Sequence, residues 1–207
     1  MEESNWPKEI KNKKLVVVEG KEDVEFFVRL LDHIGMKDYF VWGIGGKDEF
    51  NNDLPLLAKV AGFSDITHLA VVRDKNGEDA FDSVVNILKR KMGFVSVPKK
   101  PGIFTTGRPR LGIFIMPGKE IEGNMLEDLC LKMVESHQAM QCVKEFAECV
   151  SNLVNPPKNI SKAKVQAYLA AQPEVANTIG RGAQKGYWDF DSPCLNELTS
   201  FLKNLES

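Results

Sequence analysis

Three times in its first 90 residues the chain repeats one pattern: an apolar, β-branched run stops at a glycine or a charged turn and gives way to helical spacing. No other feature constrains the fold as much. Residues 15–18 end at Glu19-Gly20, after which Val24, Phe27, Val28 and Leu31 recur at helical intervals. Residues 40–44 close on Gly43, Gly45 and Gly46, and Asp53 with Pro55 predicts the start of a helix bearing Leu54, Leu57, Ala58 and Ala61. Residues 68–72 run into Arg73-Asp74-Lys75-Asn76-Gly77, and Phe81, Val84, Val85 and Leu88 mark the helix beyond. Successive strand-helix units force parallel pairing, because a helix returns the chain to the edge it left. The fold class expected is α/β, a Rossmann-like parallel sheet core flanked by helices.

The rhythm breaks over residues 93–117, where Pro98, Pro101, Gly102, Gly107 and Pro109 interrupt short apolar runs. A hairpin feeding a last core strand at 111–116 is expected there. Beyond Pro117 the pattern is helical: Leu126, Leu129, Cys130 and Met133 share one face, as do Val143, Phe146, Ala147 and Val150. After the break at Asn155-Pro156-Pro157, Ser161 is the expected cap of a helix carrying Val165, Tyr168 and Leu169, and Ser192-Pro193 opens a final helix. The expected organisation is an α/β core over residues 1–120, with a mainly helical extension over 121–207 packed against it.

Residues 1–14 hold no apolar stretch of signal-peptide length, and no later run approaches a membrane span, so a cytoplasmic protein with no membrane partner is expected. Cys130, Cys142, Cys149 and Cys194 form no CxxC pair and are expected to be reduced core thiols, with Cys142 and Cys149 packing from one helix face. His33, His68 and His137 stand alone. The net charge of −2 gives no overall basic excess for nucleic-acid binding, though local clusters at Lys11, Lys13 and Lys14, at Lys89 to Lys91, and at Lys99, Lys100, Arg108 and Arg110 remain.

Ligands of parallel α/β sheets bind at the carboxyl ends of the strands. Those ends carry Glu19, the glycines 43 to 46, and Asp74 with Asn76. A carboxylate fixed at a strand end beside a glycine suits a hard cation and a phosphate. Asp23 is equally at home as a first-turn helix carboxylate, and Glu127 as a solvated helix residue. No GxxxxGK[ST] or GxGxxG follows any strand, which argues against P-loop and dinucleotide-binding enzymes.

Val16-Val17-Val18-Glu19-Gly20-Lys21-Glu22-Asp23-Val24 resembles the first motif of the Toprim domain, and Asp74-Lys75-Asn76-Gly77 is similar to its second, Asp-x-Asp. Gly43 to Gly46 match the glycine the family often carries after its second strand. Residues 113–117 with the segment Gly123 to Leu129, and Tyr187-Trp188-Asp189-Phe190-Asp191, are similar to parts of small Toprim-like proteins close to the OLD-type nucleases. The resemblance implies a Mg²⁺ or Mn²⁺ site with Glu19 and Asp74 as catalytic groups and Asp23, Asn76 and Glu127 as further metal ligands. It also implies phosphate contacts from Lys21, Gly45, Gly46, Lys47, Lys75 and Lys119. The expected activity is nuclease or other phosphoryl-transfer chemistry on nucleic acid or nucleotide phosphates. Asn76 stands where that family has a second aspartate, so the alternative is a catalytically degenerate module that binds nucleotide, nucleic acid or a protein partner. Homo-oligomerisation is left open.

Overall fold

The computed structural model describes residues 7–206 other than Asn76 and Glu78, and for Lys47 and Asp48 it describes the backbone alone. Four strands form one sheet: β1 (Lys14–Val18), β2 (Tyr39–Gly43), β3 (His68–Asp74) and β4 (Arg110–Met116). The order is β2-β1-β3-β4 and every pairing is parallel, with Val16 opposite both Val41 and Ala70, and Val71 opposite Ile113. The fold is therefore α/β with an all-parallel sheet flanked by helices, consistent with a Rossmann-like core.

Strand side chains alternate between two hydrophobic layers. Leu15, Val17, Leu69, Val71, Leu111 and Ile113 pack against α2 (Lys47–Leu56) and α3 (Ala80–Asn86), through Phe50, Leu54 and Val84. Val16, Val18, Ala70, Val72, Phe114 and Met116 face the other way. They meet α1 (Val24–His33) and the helices of the C-terminal region, among them α4 (Leu126–Met133), α5 (Met140–Ser151), α6 (Ile160–Ala170) and α8 (Asn196–Asn204). Residues 121–207 thus supply most of the cover for one face of the sheet.

Several local expectations are corrected. Helix α2 begins at Lys47, directly after the Gly46 turn; Pro55, in its last turn, cannot donate to the Asn51 carbonyl, which accepts from Lys91 Nζ at 2.7 Å instead. The cap of α6 is Asn159, whose side chain accepts the Lys162 N–H at 2.9 Å; Ser161 sits inside the helix and donates to Asp128 at 2.6 Å. The expected hairpin shrinks to one antiparallel bridge, Phe104 to Gly112, extended by Gly102 N–H to the Ile113 carbonyl and Thr105 N–H to that of Leu111. Of the four cysteines only Cys130 is buried; Cys194 is half-buried. Cys142 and Cys149 are exposed because α5 turns Met140, Val143 and Ala147 inward instead.

Helix α7 (Ile179–Gln184) has no counterpart in the sequence pattern. Its sequence, Ile-Gly-Arg-Gly-Ala-Gln, has poor intrinsic helicity. Tight packing holds it: a Cβ at Gly180 would lie 2.9 Å from the Glu22 carbonyl oxygen, and one at Gly182 would lie 2.8 Å from Leu169. Among the described residues, no helix is long and apolar enough to cross a membrane.

Candidate functional site

Sheet order decides where the site lies. From β1 the chain adds β2 on one side, then β3 and β4 on the other, so the connections diverge at the carboxyl ends of β1 and β3 and leave a crevice there. Glu19 directly follows β1 and Asp74 ends β3. Both line one cavity of about 590 Å³, together with Gly20, Lys21, Asp23, Gly45, Gly46 and Glu127. Helices α6 and α7 close its far side with Lys162, Gln166 and Ile179.

The walls are held by backbone. Gly43 must be glycine because a Cβ would fall 2.6 Å from the Gly20 carbonyl oxygen and 2.7 Å from Lys21 Cα, both main-chain atoms that cannot yield. The Gly45-Gly46 turn, with φ of 134° and 131°, directs both of its amides at the Glu19 carbonyl, at 3.0 and 2.9 Å. Through that bonding the two amides brace the strand end that carries Glu19.

Glu19 is 8 % exposed, and its Oε2 lies 3.6 Å from Nε of Arg73, itself 5 % exposed. Arg73 also donates to Ser83 Oγ at 2.9 Å and stacks 4.6 Å above the Phe50 ring. Asp74 Oδ1 accepts the Leu126 N–H at 3.1 Å, so the start of α4 rests on the end of β3. Asp23 Oδ2 accepts the Gly20 N–H at 3.0 Å, which makes Asp23 both the brace of its own turn and a wall of the cavity. Glu127 is largely covered and pairs with Lys162 at 3.6 Å, while the adjacent Asp128 turns away to accept Asn124 and Met125 amides and the Ser161 hydroxyl.

Gathering these carboxyls has an electrostatic cost. Burial, then repulsion from Glu19, Asp23 and Glu127, pushes Asp74 up to about 8, against a smaller opposing effect of the Leu126 N–H. Burial and repulsion from Glu127 and Glu19 raise Asp23 to about 6, opposed by the Gly20 N–H and Lys162. Such a set of hard oxygen donors matches the chemistry of Mg²⁺ or Mn²⁺. Among the described residues no three carboxylate, His or Cys groups stand as a ready-made cage. Mg²⁺ in phosphoryl-transfer sites commonly rests on one or two carboxylates, with water and substrate completing its shell, so the donors fit that mode.

The expected residues therefore divide. Glu19, Asp23, Asp74, Glu127, Lys21, Gly45 and Gly46 share the acidic cavity. Lys75, the residue after β3, and Lys119, just beyond β4, line a second cavity of about 400 Å³ instead. Asn76 and the Lys47 side chain lie outside the described residues. The lone histidines stay apart from the site: His33 contacts Asp191 at 2.9 Å and His68 contacts Thr67. Lys162, Asn159 and Gln166 escape a reading of the sequence, since nothing in their spacing ties residues 159–166 to strand ends near 19 and 74. Arg73, read from the sequence as the start of a charged turn, belongs to β3 and is buried beside Glu19.

Residues 13–207 match the family described as "Protein of unknown function (DUF3226)", and the chain belongs to that family. No curated protein and no solved structure matches the chain.

Proposed function

We propose that the protein is a Mg²⁺- or Mn²⁺-dependent phosphoryl-transfer enzyme of the nuclease or phosphodiesterase type, acting on nucleic acid or nucleotide phosphates at the acidic cavity. One observation carries this: Glu19 and Asp74 flank the crevice between β1 and β3, with Asp23 and Glu127 in the same cavity and two of the four carboxyls pushed toward neutral pH. Clustered buried carboxyls of this kind are relieved by a cation, and strand-end placement holds them rigidly. The likeness of residues 16–24 and 74–77 to Toprim motifs supports the same chemistry.

Under this reading Glu19, Asp74, Asp23 and Glu127 are the oxygen donors for the ion. A divalent cation there supplies charge neutralisation at a phosphoryl oxygen and lowers the pKa of a water nucleophile. Burial and carboxylate repulsion raise Asp23 to about 6 in the metal-free protein, an electrostatic cost that a bound cation would relieve. Lys21 lines the cavity with its side chain close to Gly45, and under this reading it is a phosphate contact. The second reading, a binding module without catalysis, draws on Asn76 and on the lack of a ready-made cage among the described residues.

The test is hydrolysis of bis(p-nitrophenyl) phosphate and of a labelled oligonucleotide with Mn²⁺ or Mg²⁺, comparing the parent with Glu19→Gln. Glutamine keeps the shape beside Arg73 and removes the charge. Metal-dependent cleavage that survives unchanged in the variant, or is absent from the parent with both ions, would end the enzymatic reading.

A further inference from the structure

The residues from 83 to 119 contain eight Lys and Arg and no Asp or Glu. The rest of the chain carries 19 basic against 29 acidic residues, a net of −10, so the net charge of −2 conceals a segregation of sign. Among the described residues no ion pair involves a cation of this segment, although several cations outside it, Lys75 and Lys144 among them, are in none either. Lys14, Arg29, Arg73, Lys132, Lys162 and Lys185 each sit in an ion pair, and all lie outside the segment. Among the described residues none of Lys99, Lys100, Arg108 or Lys119 does, and all four are exposed.

The fold lines these cations up. Strand β4 is the edge of the sheet, and residues 102–105 run antiparallel beside it through Gly102 N–H to Ile113 O (2.8 Å) and Thr105 N–H to Leu111 O (2.9 Å). Arg108 therefore lies near the amino end of β4, and Lys99 and Lys100 toward its carboxyl end. Arg110, at the start of β4, is held by the Asn204 carbonyl and lies 5.0 Å over the Phe104 ring. The row continues into the second cavity, where Pro101 and Gly102 meet Lys75 and Lys119. The acid in that cavity, Glu197, is engaged by the Lys119 N–H at 2.7 Å. Lys75 lines that second cavity, and the residue before it, Asp74, lines the acidic one, so the row ends one residue along the chain from the acidic cavity.

We propose that this β4 edge, with Lys99, Lys100, Arg108, Lys119 and Lys75 as phosphate contacts, binds a nucleic-acid strand and leads it toward the acidic cavity. The proposal rests on the phosphoryl-transfer reading for what the strand is brought to, and it narrows the substrate class from any phosphate to a polymer. Unpaired cations spaced along about 20 Å of edge strand match a chain of phosphates, whereas a single nucleotide would engage one or two of them. A membrane surface fits less well: only Val95 and Ile103 among large apolar side chains are exposed in the segment, and no amphipathic helix presents them.

The experiment is fluorescence anisotropy with a labelled 20-mer oligothymidylate in EDTA, over a series of salt concentrations, for the full chain and two variants. The parent is expected to bind at 50 mM salt and to weaken steeply as salt rises. Lys99→Glu/Lys100→Glu/Arg108→Glu is expected to weaken binding at least about 10-fold and to lower the slope of log K against log salt by about 2, at about 0.7 for each phosphate no longer neutralised. Lys144→Glu, an exposed cation on α5, should leave both unchanged. No binding by the parent at 50 mM salt, equal binding by the triple variant, an equal loss in Lys144→Glu, or binding to phosphatidylserine vesicles in place of the oligonucleotide would each overturn the surface. Hydrolysis of bis(p-nitrophenyl) phosphate without oligonucleotide binding removes the surface and leaves the enzyme; oligonucleotide binding through these residues without any hydrolysis does the reverse.

Discussion

The acidic cavity and the basic β4 edge both gather like charges, and they do so under opposite conditions. At the cavity the carboxyls are buried or half-buried, and the protein meets the repulsion by shifting protons: Asp74 rises to about 8 and Asp23 to about 6. Along β4 the cations project into water, where screening makes their repulsion weak. Buried like charge demands a counter-ion at short range, while exposed like charge acts at long range on a polyanion. On this account the two patches do separate work, one on chemistry and one on attraction, and variants should separate them.

The clearest separation comes from Glu19→Gln, which is expected to lower metal-dependent turnover about a thousand-fold, a few kcal/mol of transition-state stabilisation. Oligonucleotide affinity measured in EDTA should change little in the same variant. A loss of both together, in a protein that still melts cooperatively, would show that the two regions are not separate.

Next in size is the effect of pH on stability. Asp74 and Asp23 have folded-state pKa values above the unfolded value of 3.8, so the stability linked to their protons is fully present below about pH 4. It is lost as pH rises through about 6 and about 8. Metal-free protein should therefore grow less stable from pH 4 to 8. Asp74→Asn keeps an acceptor for the Leu126 N–H and cannot ionise. It should raise stability at pH 8 by about 2 kcal/mol, roughly 4 to 8 °C in melting temperature, with no difference at pH 4. Melting curves that run parallel at all pH values would contradict the account of a strained acidic cluster.

The parts of these regions that the sequence reveals are the ones with short-range signals. Glu19 and Asp74 stand out because each follows an apolar run, and parallel pairing of those runs follows from the helices between them. The layer assignment follows from alternation in β1, β3 and β4. Lys162, Gln166 and Ile179 are hidden because the helices that bring them to the cavity are placed by packing over long sequence separations, and α7 is held by glycine contacts that no propensity reveals. Lys75 illustrates the limit from the other side: one residue from Asp74 in sequence, it faces a different cavity. Nor does the sequence reveal that the Gly45 and Gly46 amides bond to the Glu19 carbonyl.

Smaller effects refine the contrast. Asn76→Asp restores the second aspartate of the Asp-x-Asp motif that residues 74–77 resemble; for a carboxylate about 4 Å from a cation, at an effective dielectric near 20, the pair energy is roughly 4 kcal/mol, most of it offset by desolvation and repulsion. A several-fold gain in Mn²⁺ affinity by calorimetry is expected, about 1 kcal/mol, and undetectable metal binding in this variant would favour the non-catalytic module. Smallest of all, Lys99→Glu/Lys100→Glu should change stability by no more than about 0.5 kcal/mol in either direction, read as a melting shift of under about 2 °C. A larger loss would mean that these side chains serve the fold rather than a ligand.

Everything proposed for the cavity depends on the crevice between β1 and β3 being a cation site, which titration of Mn²⁺ into the metal-free protein at pH 7, in buffers of different ionisation enthalpy, would decide. Because Asp74 holds its proton to about pH 8, one binding site is expected to release about one proton per ion, and Asp74→Asn should abolish that release. Absence of saturable binding at millimolar Mn²⁺, or binding with no proton released by the parent, would contradict it.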